Sequence, residues 1–182
     1  ELGPTHHSLE DIAIIRSIPE IRILTPSDPE ELRVQINEAL QLKGPTYIRI
    51  GKKGEPNIFS KNNNLGIGKA NILKRGNDIL ILTIGPIVSE ALKASNDLAK
   101  ERINVSVATL GSVRPIDKEF LEKQLTKDFK YWITLEEHGL VGGLGSIILE
   151  WASDNGYLEK FKLKRIAVEN KFINELGNQN YT

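Results

Sequence analysis

Residues 79–84 read Ile-Leu-Ile-Leu-Thr-Ile, an apolar run in which polar side chains do not alternate. Such a strand carries hydrophobic groups on both faces, so both faces must be covered. That requirement disfavours a one-sided antiparallel sheet and asks for helices above and below. The flanking sequence supplies them. Gly85-Pro86 opens a helix whose stripe is Ile87, Val88, Ala91, Leu92, Ser95, Leu98 and Ala99, and residues 103–110 read as the next strand. Residues 131–135 form a third central strand, Leu144, Ile147, Ile148, Trp151 and Ala152 line the helix after it, and residues 162–168 close the series. Asp117 is placed to cap a short helix containing Phe120 and Leu121. Gly76-Asn77, between residues 69–74 and 78–85, suggests a turn joining two strands. Strands alternating with helices over roughly 110 residues predict a mainly parallel, three-layer α/β domain with right-handed crossovers.

The first 55 residues repeat the alternation on a smaller scale. A helix begins near Leu9, capped by Ser8 or Thr5, with Ile12, Ala13 and Ile15 on one face and Pro19 at its end. After a strand at 21–25, Ser27-Asp28-Pro29-Glu30-Glu31 supplies a cap, a first-turn proline and two carboxylates at the positive end of a helix dipole. Leu32, Ile36, Ala39 and Leu40 are expected to be its buried stripe. Gly44-Pro45 stops that helix, and residues 47–50 read as a strand. This is too little for a whole domain, and exposed strand edges seek partners, so self-association or disorder of residues 1–55 is expected. The polar stretch 51–64, with Gly51, Gly54, Pro56 and Asn62-Asn63-Asn64, reads as a linker. The expected organisation is therefore 1–55 as part of one α/β domain, 56–66 as linker and 67–182 as a second domain.

Several function classes recede on composition. The chain has 182 residues with 24 basic and 24 acidic side chains and no block of like charge, which argues against an electrostatic grip on nucleic acid or anionic membrane. With no cysteine there is no disulfide or thiolate chemistry. No apolar run approaches the ~20 residues of a membrane span, and the start at Glu1 lacks a signal-peptide pattern, so a cytoplasmic location is expected. The chain also lacks methionine, so the N-terminus reads as internal, and the polar end at residues 177–182 suggests that more chain follows.

Candidate chemistry is sparse. Thr5-His6-His7 precedes the first helix, where a histidine ring can cap and pack or, in a cleft, polarise a carbonyl; packing is the commoner role. His138 stands apart, so three histidines do not make a metal site. Gly51-Lys52-Lys53-Gly54 follows a strand end, where a lysine can hold a phosphate, although lysine pairs on solvated loops are common. Gly142-Gly143-Leu144-Gly145-Ser146 lacks the lysine and spacing of a phosphate loop, which favours close packing of a helix start. Glu136-Glu137 is either an acid–base pair or, more in keeping with its place, a pair of partly solvated carboxylates accepting local amide bonds.

In their order along the chain these segments resemble the split or short transketolase family. Gly3-Pro4-Thr5-His6-His7 followed by Arg16-Ser17-Ile18-Pro19 is similar to that family's GPTH element and its downstream R-x-(I/L)-P. Arg114-Pro115-Ile116-Asp117 resembles its K/R-P-(L/I)-D element, and residues 135–146, Leu-Glu-Glu-His-Gly-Leu-Val-Gly-Gly-Leu-Gly-Ser, resemble EEH-xxx-GGLGS. The resemblance implies the rear part of a pyrimidine-binding domain before the linker and a transketolase C-terminal domain after it. It implies transfer of a two-carbon ketol unit from a ketose to an aldose, with thiamine diphosphate and magnesium in the complete enzyme. The family's GDG metal motif and its aminopyrimidine-activating glutamate have no counterpart in this sequence. No cofactor or metal site is therefore expected to be complete in this chain, which alone should be inactive.

By the same resemblance, His6 is the catalytic and substrate-binding histidine near the reacting carbonyl, and Lys52 stands where many transketolases carry a phosphate-holding arginine. Leu2 replaces an aspartate that recognises a sugar hydroxyl, and a lysine at 52 lacks the planar fork of arginine, so substrate choice can differ. The implied partners are an N-terminal thiamine-diphosphate-binding section or subunit, in a homodimer or heterotetramer, and a sugar or sugar phosphate. Three alternatives remain: a non-catalytic dimerisation or assembly module, part of a deoxyxylulose-phosphate synthase, and part of a beta-type component of a 2-oxoacid dehydrogenase.

Overall fold

A computed structural model describes residues 8–51, 54–59, 64–169 and 171. The element order is α1 (Asp11–Ile15), β1 (Arg22–Leu24), α2 (Pro29–Ala39), β2 (Thr46–Ile48), β3 (Ala70–Lys74), β4 (Ile79–Thr83), α3 (Val88–Lys100), β5 (Val105–Leu110), β6 (Ser112–Arg114), α4 (Lys118–Leu125), β7 (Tyr131–Gly139), α5 (Leu144–Asp154) and β8 (Leu163–Val168). No helix among the described residues is long and apolar enough to cross a membrane.

The larger sheet has the order β3-β5-β4-β7-β8, with β4 between two parallel neighbours and β3 antiparallel at one edge. Side chains alternate across β4 and feed two cores. Ile81 packs with Val105, Val107 and the α3 residues Val88 and Ala91 on one face. On the other, Leu80 and Leu82 join Leu121 of α4 and Leu144, Ile148 and Trp151 of α5. Trp132 on β7 extends this second core, its ring stacked 4.3 Å from Phe161 and 6.3 Å from Trp151. The three-layer, mainly parallel arrangement follows directly from a central strand that needs cover on both sides.

Gly76-Asn77 does not close a hairpin, because β5 lies between β3 and β4. The turn instead packs under the start of β5: the Asn77 and Asp78 amides donate to the Asn104 carbonyl at 3.2 and 2.9 Å. A Cβ on Gly76 would overlap the Asn104–Val105 backbone. An all-apolar strand gains more from the centre of the sheet than from an edge hairpin.

The smaller sheet has the order β2-β1-β6. β1 pairs in parallel with β2 and antiparallel with β6, which comes from the second half of the chain. For β1, then, the open edge expected of residues 1–55 does not exist. The buried stripe expected on α2 is also corrected. Leu40 is 76 % exposed and Ile36 39 %, whereas Glu31 and Gln35 are fully buried. α2 is docked by its polar face: Gln35 Nε2 donates to the Gly111 carbonyl at 2.7 Å, and the Ser27 and Thr109 hydroxyls share a 2.5 Å bond. The cap at Asp28 is as expected, its Oδ1 accepting from the Glu31 amide at 2.8 Å.

Leu80→Ala should cost about 2–5 kcal/mol in urea unfolding, whereas Leu40→Ala should stay within about 0.5 kcal/mol. A large loss at Leu40 would mean that this face of α2 is covered in solution.

Candidate functional site

The two halves of the chain meet where α1 faces the end of β7, and charge is buried there. Asp11 opens α1 and its side chain is only 6 % exposed. Three partners hold it in place or surround it. Tyr47 donates its hydroxyl to Oδ2 at 2.8 Å, Arg49 donates Nε to the same oxygen at 3.1 Å, and His138 Nε2 lies 4.0 Å from Oδ1. Arg49 reaches further, donating to the Ser8 carbonyl at 2.8 Å and the Glu137 carbonyl at 2.7 Å. A single guanidinium, carried just past the end of β2, therefore binds the approach to α1 and the end of β7.

His138 is fully buried rather than isolated. Its Nδ1 lies 2.8 Å from the Gly139 carbonyl and its Nε2 accepts from the Ala13 amide at 3.4 Å, a pattern that suits the neutral ring protonated on Nδ1. Burial holds its pKa below the ordinary 6.5, against opposing pulls from the Gly139 carbonyl and Asp11. The Gly139 amide donates to the Leu9 carbonyl at 2.7 Å, and a Cβ on Gly142 would overlap Ala13. Arg16 donates to the Gly142 carbonyl and pairs with Glu150, while Arg114 grips the carbonyls of Arg16 and Ile18 at 3.0 and 2.9 Å. Residues 11–18, 114 and 136–146 thus converge on one seam.

Glu136 decides what the glycine-rich start of α5 can do. Its buried carboxylate accepts from the Leu144 amide at 2.6 Å and the Gly145 amide at 2.9 Å, and a Cβ on Gly143 would overlap it. Burial raises its pKa, and the two amide bonds pull it back down. The helix start is thereby filled by the chain's own anion, so a diphosphate cannot use those amides. Among the described residues no group of three or more His, Asp or Glu is placed to hold a metal ion. At the start of α5 the described residues do not fit a diphosphate group.

His6 and Lys52, the two expected substrate residues, lie outside the described residues. Their flanks are described: the Ser8 carbonyl accepts from Arg49, and Gly51 follows Arg49 by two residues. Sequence reasoning misses Asp11, Tyr47 and Arg49, for which the available signal is an arginine inside an otherwise apolar strand run. Glu137 is half-buried, and its charge, after burial itself, helps raise the pKa of Glu55.

Asp11→Asn should destabilise the chain by about 1–3 kcal/mol and speed amide exchange at Ala13, since Arg49 loses its anion. For His138 the unfolded ring takes up a proton at a higher pH than the folded one. Stability from this group is therefore full above pH 6.5 and falls as pH drops below it. The difference between wild-type and His138→Gln unfolding curves should show that acid limb; parallel curves from pH 5 to 8 would contradict it.

The transketolase C-terminal domain model matches residues 68–173, and the transketolase pyrimidine-binding domain model matches residues 1–55. A subunit of the apulose-4-phosphate transketolase of Actinobacillus succinogenes is 37 % identical over 166 residues, covering 91 % of this chain and 53 % of that protein. A 6-deoxy-6-sulfo-D-fructose transketolase subunit of a Clostridium species is 35 % identical over 179 residues, 98 % of this chain and 54 % of its own length. 1-Deoxy-D-xylulose-5-phosphate synthase of Desulfitobacterium hafniense is 36 % identical over 160 residues, 85 % of this chain and 25 % of the synthase. A solved split-gene transketolase, described as an inactive beta4 tetramer, superposes with a TM-score of 0.84 at 32 % identity, over 93 % of this chain and 55 % of that one. The chain spans about half the length of the transketolase subunits it matches. With both family models matched in order along the chain, it belongs to the transketolase family.

Proposed function

We propose that this chain provides the rear of the pyrimidine-binding domain, residues 1–55, and the C-terminal domain, residues 67–182, of an enzyme that moves a two-carbon ketol unit from a ketose to an aldose. The observation that carries this reading is the Arg49 bridge. Arg49, three residues before Lys52, binds Asp11 and the carbonyl of Ser8, two residues after His6. The two substrate residues that the family resemblance implies are therefore neighbours in sequence of one hydrogen-bonded base. Such a base suits a histidine that donates a hydrogen bond near the reacting carbonyl while a cation holds the far end of the sugar.

Thiamine diphosphate and magnesium belong to the complete protein in this proposal, bound by an N-terminal section or a partner subunit. The transketolase subunits among the relatives, about twice as long as the matched region, support that division. The departures at Leu2 and Lys52 favour a ketose whose recognition differs from that of common pentose phosphates. A second reading applies to the chain standing alone: a non-catalytic assembly module, favoured by the filled amides at the start of α5.

In the complete enzyme, His6→Ala should lower the transfer rate by about 100-fold or more. A rate within a factor of two of wild type would remove the catalytic role. Lys52→Ala should raise KM for a phosphorylated sugar with little change in kcat, as expected for lost uniform binding. Decarboxylation of pyruvate by the assembled enzyme would move the assignment to the synthase or dehydrogenase alternatives. Calorimetry of this chain alone with thiamine diphosphate and magnesium should show no tight binding; tight binding would contradict the division of the site.

A further inference from the structure

The face of α2 that docks on the second half of the chain holds two fully buried oxygens with no hydrogen-bond partner among the described residues, Glu31 Oε1 and Gln35 Oε1. They belong to residues one helical turn apart, and both side chains crowd the space above Gly111, the residue joining β5 to β6. Their other atoms are satisfied. Glu31 Oε2 accepts from the Ser27 amide at 2.7 Å, and Gln35 Nε2 donates to the Gly111 carbonyl. Two buried acceptors on one helix face without a donor cost free energy, and a single proton shared by their residues would remove the deficit.

We propose that α2 and the β5–β6 turn are fastened by a protonated carboxyl clasp: Glu31 keeps a proton on Oε1 and donates it to the amide oxygen of Gln35, and release of that proton to solvent at higher pH loosens the first lobe from the second. The surroundings favour the neutral acid. Glu31 crowds Gly111 and accepts from the Ser27 amide, neither of them ionisable, and the charged group acting on it is Asp28 of its own helix start. Burial above all, then Asp28, lifts its pKa from 4.5 to about 7, although the Ser27 amide opposes this. Near neutrality the clasp is therefore poised to change state.

The clasp sits among the bonds that cross between the lobes. The Thr25 amide donates to the Gly111 carbonyl at 2.8 Å, the Thr25 hydroxyl to the Leu110 carbonyl at 3.1 Å, and the Gly85 amide to the Thr25 carbonyl at 3.1 Å. Opening the seam lets Glu31 return to an ordinary carboxylate. A group protonated when closed and ionised when open weakens closure as pH rises from 4.5 to about 7, with little further change above.

The test is hydrogen exchange of the Thr25 and Ser27 amides in the complete assembled protein, corrected for intrinsic base catalysis. Their protection should fall roughly 20-fold between pH 5.5 and 7.5 and then level off. Glu31→Gln places an amide donor where the acid proton stood, so its protection should not change with pH. A constant protection in wild type, or the same fall in Glu31→Gln, would overturn the proposal. Should that variant not fold, the carboxyl carbon-13 titration of wild-type Glu31 decides alone. A midpoint near 7 supports the clasp, and one below 5 would mean an ionised carboxylate bridged to Gln35 by buried water.

Discussion

Gly111 is the hinge on which the two sheets depend. β5 runs through the interior of the larger sheet to Leu110, and two residues later the chain is pairing with β1 in the smaller one. A side chain at 111 would occupy the space taken by Glu31 and Gln35. The absence of a Cβ lets a helix from the first lobe press its polar face onto the backbone of the second, and the backbone carbonyl then becomes an acceptor for that helix. The lobes are thus joined by main-chain contact as well as by the apolar core, which takes in Ile12 and Ile23 of the first lobe.

This explains why the seam is rich in polar groups. A backbone carried from one sheet into another exposes carbonyls and amides that must be paired once buried. Gln35, the Thr25 backbone amide and hydroxyl, and the hydroxyl pair of Ser27 and Thr109 meet that need on one side, and Arg49, Arg114 and His138 meet it on the other. Their partners come from positions 76 to 125 residues away along the chain, so the fit depends on both lobes being folded.

That separation also divides what is legible in the sequence from what is not. The strands and helices of the larger sheet announce themselves because burial on two faces leaves a local signature in residues 79–84 and in the stripe of α5. The inward face of α2 is not legible, since Glu31 and Gln35 are polar and nothing near them in sequence signals Gly111. β6 is three residues long and carries no periodicity. His138 looks solitary in the sequence because its partners, Asp11 and Ala13, lie at the far end of the chain. His6 and Lys52 are nameable only through family resemblance, as local residue types alone favour bland roles for both.

The glycine-rich start of α5 has a consequence for how this lobe lives in a phosphate-rich medium. Helix starts with small residues attract whatever anion is abundant. By supplying Glu136 from the preceding strand, the chain furnishes its own permanent counter-ion, tethered and therefore present at an effective concentration no free solute matches. Inorganic phosphate, sugar phosphates and nucleotides have nothing to displace it with at that position. The start of α5 is thereby insulated from that whole class of metabolite.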